Sequence, residues 1–553
     1  MVKVEVSHQS LNKFVGKSLS HKELEDLLFS LGYELESVEG DLLSIDITAE
    51  RPDLVSTAGL ARLLKAYLGI QKGLPQYVVK KSDYSILVNP NVKHVRPYTV
   101  AAVVKGLQFD DARIKELIRI QEKLHATYGR GRKKAAIGVY PLEQISWPIS
   151  YFAEDPKKVK FIPLDFAEPM TGQEILEKHP TGITYKHLLQ DMSHFAFFMD
   201  ARKHILSMPP IINAQRLGKV TEKTKDVFIE CSGHDFQALN HLLNILVTIL
   251  ADMGGSISAV TLQYGTKKIV TPHLVAERLA VPLSLIKRLL GIELRQNDLR
   301  LLLERMQYGV EKFDTEHVHV LIPAFRTDIW HPVDVVDDAA RAYGFNKLEP
   351  SFTHVETIGE TTQHVHLQEQ ITEFLVGLGM QQTYSFALTN RDYQFTKMLL
   401  PQQEHISLGK TTEESVNMIR LWMLPELMKC LAFNRSHGYP QKLFEVNYVV
   451  EPNSNKDVQC KNVLKFSGVL CDEKVTFTDA RQTVEYVLDK YHIEYQWKEM
   501  EHASFIPGRV ARLVVHGKDV GFCGELHPQV LENFGLQMPV VGFEVNLDTL
   551  FSF

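Results

Sequence analysis

The chain has 553 residues, 44% of them hydrophobic and 23% charged, with a formal net charge of −6. This balance excludes a disordered or fibrous chain, and the length suggests roughly three to five domains rather than one. With no overall basic excess, binding of nucleic acid by bulk charge is excluded, and any such contact must come from a local patch.

The first eighty or so residues read as a small α+β unit. Ser20 and Glu23 have the spacing of a capping box, Leu24, Leu27, Leu28 and Leu31 form a helical stripe, and Gly32 ends it. LLSIDIT (42–48) alternates as a strand and TAGLARLLKAYLGI reads as a second helix. Between them, Glu50, Arg51, Pro52 and Asp53 lie at a strand-to-helix junction. There they either help a helix N-terminus hold an anion or, with Asp53 or Ser56, merely cap it. From about 86 to 270, strands alternate with amphipathic helices, among them YTVAAVVKGL (98–107), AAIGVY (135–140) and VFIECSGHD (227–235). The basic run RGRKK (130–134) is either a phosphate contact or a solvated loop. Alternation puts Glu230 and Ser232 on one strand face.

Residues 271–348 read as turns, two helices from Ser284 and Asn297, and the strand HVHVLIP (317–323). The strand leads into PAFRTDIWHPVDVVDDAARAYGF, which places Asp328, Asp334, Asp337 and Asp338 within eleven positions. Val333, Val336, Ala340 and Tyr343 give a buried stripe, with Asp334, Asp337 and Asp338 crowded on the other side. Such a patch suits either a hard cation with oxygen ligands or a solvated face paired to Arg326 and Arg341. The last two hundred residues read as another α+β domain. LQEQITEFLVGLGM and the run after Arg420 form helices, and QTYSFAL is a strand. KLFEVNYVV, VLKFSGVL, VARLVVHG, KDVGFCGEL and VVGFEVNL are strands of a largely antiparallel sheet. HVH at 364–366 and at 317–319 reads as strand alternation, and Arg420 as a structural cation.

Five cysteines without a CxxC pair argue against a disulfide framework or zinc ribbon and for a reducing, cytoplasmic compartment. LNHLLNILVTILADMGG is too short and too polar to span a bilayer, and the N-terminus lacks an apolar signal core. The sequence contains no GxxxxGK[ST], HExxH, GxSxG or dinucleotide fingerprint.

Six motifs taken together go further: ERPDLVSTAGLARLLKAYLG, SMPPIIN, FRTDIWHPVDVVDDAARAYGF, IRLWMLPELMKCLAFN, FEVNYVV and GELHPQVLENFGLQMPV. In this order they resemble the β subunit of phenylalanyl-tRNA synthetase, in its shorter archaeal and eukaryotic form, over essentially the whole chain. The resemblance implies a multidomain α+β protein. Its parts would be a small N-terminal α+β unit (1–85), an α/β tRNA-editing domain (86–270), a helical winged-helix-like module (271–348) and an inactive class II synthetase-like antiparallel-sheet domain (355–553). It implies an editing pocket of Gln121, Arg132, Ser207, Glu230 and Ser232, with His125 a candidate for activating water. It also implies a magnesium site at Asp328, Asp334, Asp337 and Asp338 shared with an α subunit. The partners implied are that α subunit, in an (αβ)2 heterotetramer, and phenylalanine tRNA. ATP and Mg2+ would be used at the α subunit, where phenylalanine is attached. The competing expectations are a non-catalytic tRNA-binding or assembly protein with a decayed pocket, and a free-standing hydrolase of mischarged tRNA.

Overall fold

The structure is a computed structural model describing residues 2–353, 355–411, 415–454 and 457–551. It divides into two compact units, Met1–Ser351 and Phe352–Phe553. The first begins with the antiparallel strands β1 (Val2–Ser7), β2 (Glu34–Glu39) and β3 (Leu42–Ile47), in the order β1-β3-β2. Helices α1 (His8–Val15), α2 (His21–Ser30) and α3 (Thr57–Tyr67) accompany them. The Ser20–Glu23 capping box forms, and Leu24 and Leu28 are buried. Ser56 caps α3 by accepting the Gly59 N–H at 3.0 Å, which is the bland alternative for that junction.

An eleven-stranded sheet follows, spanning residues 79–271. Its main strands are β4 (Ser85–Val88), β5 (Tyr98–Lys105), β6 (Ala135–Pro141), β7 (Ile149–Glu154), β8 (Phe195–Met199), β9 (Ile205–Met208), β10 (Ile212–Asn213), β11 (Val227–Gly233) and β12 (Ser256–Tyr264). They run in the order β10-β9-β8-β7-β4-β12-β5-β11-β6, and Val79–Lys80 and Lys267–Thr271 also pair with β12. Most pairings are antiparallel, so this part is α+β rather than the α/β arrangement expected; only β4 and Val79–Lys80 bring parallel pairs. Helix α4 (Asp111–Ala126) carries Gln121 and His125. Helix α5 (Phe236–Asp252) is buried nearly all round, which explains its apolar sequence without a bilayer. No helix among the described residues is long and apolar enough to cross a membrane.

Strands β13 (Glu277–Pro282), β14 (Gly309–Phe313) and β15 (His317–Ile322) form a sheet in the order β13-β15-β14, with helices α6 (Leu283–Leu290), α7 (Gln296–Arg305) and α8 (Pro332–Tyr343). Strand β13 occupies a stretch expected to be turns; its charged start and terminal Pro282 hide a strand that pairs Leu279 with Val320 and Val281 with Val318. A single hydrophobic cluster runs from Val4 to Ala342, so the first three sequence segments contribute to one core, beside a smaller separate cluster from Val159 to Ala214.

Buried ion pairs lie within these segments, and Arg62 with Asp252 at 2.9 Å joins the first to the second. Arg51 grips Asp53 through two parallel hydrogen bonds of 2.9 Å, and Arg326 grips Asp328 in the same way at 2.8 and 2.6 Å. Arg326 also reaches Asp338 at 2.7 Å, and the Tyr308 hydroxyl donates to the same carboxylate oxygen at 2.7 Å. Asp338 is therefore on the buried side of α8; of the stripe expected, Val336 and Ala340 are buried and Tyr343 packs on the core, while Val333 is 42% exposed. The wider buried face has a physical reason: Arg326 is itself buried and draws Asp338 inward, and Val335, Ala339 and Ala342 add to the apolar contact of Val336 and Ala340.

In the second unit, β16 (Gln381–Gln382), β17 (Gln441–Pro452), β18 (Cys460–Cys471), β19 (Gln496–Glu499), β20 (Phe505–Val515), β21 (Lys518–Leu526) and β22 (Val540–Asn546) form one sheet. The order is β16-β17-β18-β22-β21-β20-β19, antiparallel except for β16 with β17. Helices α9 (Gln363–Gly377), α10 (Leu424–Phe433) and α11 (Phe477–Lys490) complete it. Two expectations change here. HVH at 364–366 lies in α9, whose buried Leu367, Ile371 and Leu375 impose the helical period. QTYSFAL is strand only at its ends, with Tyr384 and Phe386 85% and 86% exposed. Arg420 is a buried structural cation, 2.9 Å from Glu445 and donating to the Tyr448 carbonyl.

The Arg326 network yields a stability test. Arg326→Met leaves Asp328 and Asp338 buried without their cation and should lower the stability of the first unit by about 3–5 kcal/mol. Urea unfolding followed by circular dichroism would measure it, and an unchanged midpoint would show the network to be dispensable.

Candidate functional site

A cavity of about 480 Å³ opens between α4, the loop 130–134, β6, the β9–β10 corner and β11. Gln121, Arg132, Ser207 and Glu230, far apart in the chain, all line it, as does His125; Ser232 does not. The sheet register makes the room. Glu230 on β11 stands opposite Ala101 on β5 and Gly138 on β6, the two smallest neighbours a strand can offer. A side chain at Gly138 would run into the Tyr140 hydroxyl and the Glu230 carboxyl.

Arg132 sits in a left-handed backbone conformation at φ 65°, next to Gly131 at φ 60°, which turns its side chain back toward the cavity. Its guanidinium lies 2.7 Å from Glu122, donates to the Ile211 carbonyl at 3.0 Å and stacks 4.3 Å from the centre of the Tyr185 ring. Arg132 is thus an anchored wall of the cavity, while Arg130 and Lys133 of the same basic run remain exposed.

His125 is less suited to activating water than its position suggests. Its Nε2 accepts the Ile137 backbone N–H at 2.8 Å, so the neutral ring carries its proton on Nδ1. Burial pushes its pKa down and keeps it neutral, which leaves no free lone pair on the ring.

Glu230 is buried, and burial pushes its carboxyl up to about 8; the Tyr140 hydroxyl and the charge of Arg96 oppose the shift without cancelling it. At neutral pH it is therefore mostly a neutral carboxylic acid. Its Oε1 lies 3.1 Å from the Tyr140 hydroxyl, and its Oε2 has no hydrogen-bond partner among the described residues. Ser232, two residues on, instead holds Arg96: its hydroxyl accepts from Arg96 Nε at 3.1 Å, and its carbonyl accepts from Arg96 Nη2. It supports the strand behind the cavity and does not line the cavity itself. Tyr140, Glu122, Arg96 and Gly138 were not singled out from sequence. Alternation along AAIGVY did contain a signal, because Gly138 and Tyr140 share a strand face and Gly138 is the register partner of Glu230.

The four aspartates expected to hold magnesium do not converge. Asp328 and Asp338 are both occupied by Arg326. Asp334 accepts the Trp330 and His331 backbone N–H groups at 2.8 Å, closing a capping box at the start of α8. Asp337 pairs with Arg341 at 2.9 Å on the surface. Among the described residues no group of three His, Cys, Asp or Glu side chains is placed to hold an ion. They serve a guanidinium, a helix cap and a surface pair at separate places, so within this chain the four do not form an ion site by themselves.

Comparison with known proteins adds an independent line. Residues 1–70 match a family described as the Phe-tRNA synthetase beta subunit B1 domain, residues 279–345 the tRNA synthetase B5 domain, and residues 348–547 the phenylalanyl tRNA synthetase beta chain CLM domain. The phenylalanine–tRNA ligase beta subunit of Pyrococcus abyssi is 40% identical, with all of both chains covered. That of Thermococcus onnurineus is 39% identical over all of this chain and 99% of its own. A crystal structure of an N-terminal fragment of the phenylalanyl-tRNA synthetase beta-subunit from Pyrococcus horikoshii is similar at a TM-score of 0.60 and 40% identity, covering 62% of this chain and 100% of the fragment. With full-length identity of this size and matching domains in order, the chain belongs to the family of phenylalanyl-tRNA synthetase β subunits.

Proposed function

We propose that, within the ligase complex of its family, this chain supplies the hydrolytic editing of tyrosine wrongly attached to phenylalanine tRNA, together with tRNA docking and scaffold. In this proposal the ATP- and Mg2+-dependent attachment of phenylalanine takes place on the α subunit, in a cytoplasmic (αβ)2 heterotetramer. The observation that carries the editing reading is the convergence of Gln121, Arg132, Ser207 and Glu230 on one cavity of about 480 Å³. A pocket that accepts phenylalanine rejects an added hydroxyl poorly, so a second site able to hydrogen-bond that hydroxyl is needed to remove the error. Glu230 and Ser207 have the chemistry for it, and Arg130 and Lys133, exposed on either side of Arg132 in the chain, suit contact with the phosphates of tRNA. Magnesium at the four aspartates is left out of this function because the four carboxylates do not come together within this chain.

One observation favours a second reading. The ring lone pair of His125 is taken by a backbone amide, so the obvious base for water is absent, as in a pocket that binds without hydrolysing. Deacylation separates the two. The complex with its α subunit should release tyrosine from mischarged tRNA, and Gln121→Ala and Glu230→Ala should each slow release by about tenfold or more. No release by the unaltered complex would favour the binding-only reading.

The state of Glu230 is testable without substrate. Its folded carboxyl titrates near 8, above the unfolded value near 4.5, so the folded form holds the extra proton between those pH values. Stability should therefore fall as pH rises from about 5 to about 8, and Glu230→Gln should flatten that fall by roughly 3–5 kcal/mol. Urea midpoints across that pH range would measure it. For the aspartates, Asp337→Asn should leave α–β assembly unchanged across a magnesium titration. A magnesium-dependent loss of the complex would restore a metal role.

A further inference from the structure

We propose that Tyr140 is a positioning residue that locks Ser207 and Glu230 into a hydrogen-bond chain, so that the cavity presents one donor and one acceptor side by side, the complement of a phenolic hydroxyl. The inference rests on the editing reading given above.

The geometry is a matter of counting protons. The Tyr140 oxygen lies 2.7 Å from Ser207 Oγ and 3.1 Å from Glu230 Oε1, yet a phenol has one proton to donate. If Tyr140 donates to Glu230, the serine hydroxyl must donate to Tyr140. The serine oxygen then offers lone pairs to the cavity, and the proton of the neutral acid sits on the unpartnered Oε2. If the chain runs the other way, Glu230 donates from Oε1, Tyr140 donates to Ser207, the serine proton is free and Oε2 is the acceptor. Either direction leaves one donor and one acceptor unpaired on Ser207 and Glu230, both of which line the cavity. A tyrosyl hydroxyl, itself one donor and one acceptor, satisfies both groups, whereas a phenylalanyl ring leaves both unpaired in a buried place.

Tyr140 is fixed for the task. It is fully buried and stacks on Phe228 at 5.5 Å between ring centres, so it cannot swing away to serve a ligand itself. The titratable groups around Glu230 are Arg96 and Tyr151 beneath it, Cys231 beside it, and His125 and Arg132 on the cavity wall. None of them replaces the chain. Ionising Glu230 would remove the donor and leave two acceptors, so the preference for the hydroxyl should weaken as pH passes about 8.

The test uses the complex with its α subunit and compares deacylation of tyrosyl- and phenylalanyl-tRNA. Tyr140→Phe keeps the ring and should lower the tyrosyl-to-phenylalanyl ratio by about 3- to 10-fold, the loss falling on KM for the tyrosyl substrate. Glu230→Gln retains a neutral donor and should keep the ratio to within about threefold of the unaltered complex while abolishing its decline above pH 8, whereas Glu230→Ala should lose it. In parallel, calorimetry should show L-tyrosinamide bound in preference to L-phenylalaninamide, with the preference lost in Tyr140→Phe. An unchanged ratio in Tyr140→Phe, a Glu230→Gln variant as impaired as Glu230→Ala, or no preference between the two amides would overturn the relay. If neither tRNA is hydrolysed but the amide preference behaves as expected, the relay stands and the hydrolytic reading fails.

Discussion

The first unit depends on charges that have been taken out of water. Arg51, Arg62 and Arg326 are all nearly inaccessible, and each is held by carboxylates within the same apolar surroundings. Arg62 joins Asp252 at 2.9 Å and Asp53 at 3.8 Å, and its guanidinium lies 3.7 Å above the Phe325 ring. A buried cation without its partners is strongly destabilising, so every element that supplies one is fixed in place by the others. The N-terminal unit, α5 and α8 therefore meet in one arrangement. The ERPD and FRTD stretches share a simple device: Arg and Asp two residues apart, forked together before either is buried.

That device explains where sequence reading succeeded and where it failed. Elements governed by local rules were legible: the Ser20–Glu23 box, the helix beginning near Ser284, the antiparallel strands of the second unit and the strand at 317–322. The inward turn of Asp338 on α8 was not, because hydrophobic periodicity assumes that an aspartate points outward, and Asp338 points inward to a cation and a tyrosine hydroxyl supplied by segments 12 and 30 residues away. Strand β13 was missed for a related reason. Its outward residues are charged, and only its partner β15 shows which face is inward.

The candidate site was partly legible through family likeness rather than through the residues' own pattern. Gln121, Arg132, Ser207 and Glu230 have no common spacing, and only the sheet order β9-β8-β7-β4-β12-β5-β11-β6 with α4 folded against it brings them round one space. Their chemical state was not legible at all. A glutamate in a sequence reads as an anion; Glu230 becomes an acid because Ala101 and Gly138 leave it dry room, and Arg96, the nearest cation, is spent on Ser232.

Strand β12 has a bearing on how the chain is made. It pairs with four strands, and three of them, Val79–Lys80, β4 and β5, are completed well over a hundred residues before it. During synthesis those earlier strands leave the ribosome with open edges and wait for residue 264 before the sheet can close. The long interval raises the contact order and slows assembly, and it exposes paired-up apolar strands to wrong partners in the meantime. A nascent chain halted before residue 256 would carry most of the cavity's residues and no sheet centre to hold them. The last strand to arrive in this sheet's middle is thus the one that turns a set of hairpins into a pocket.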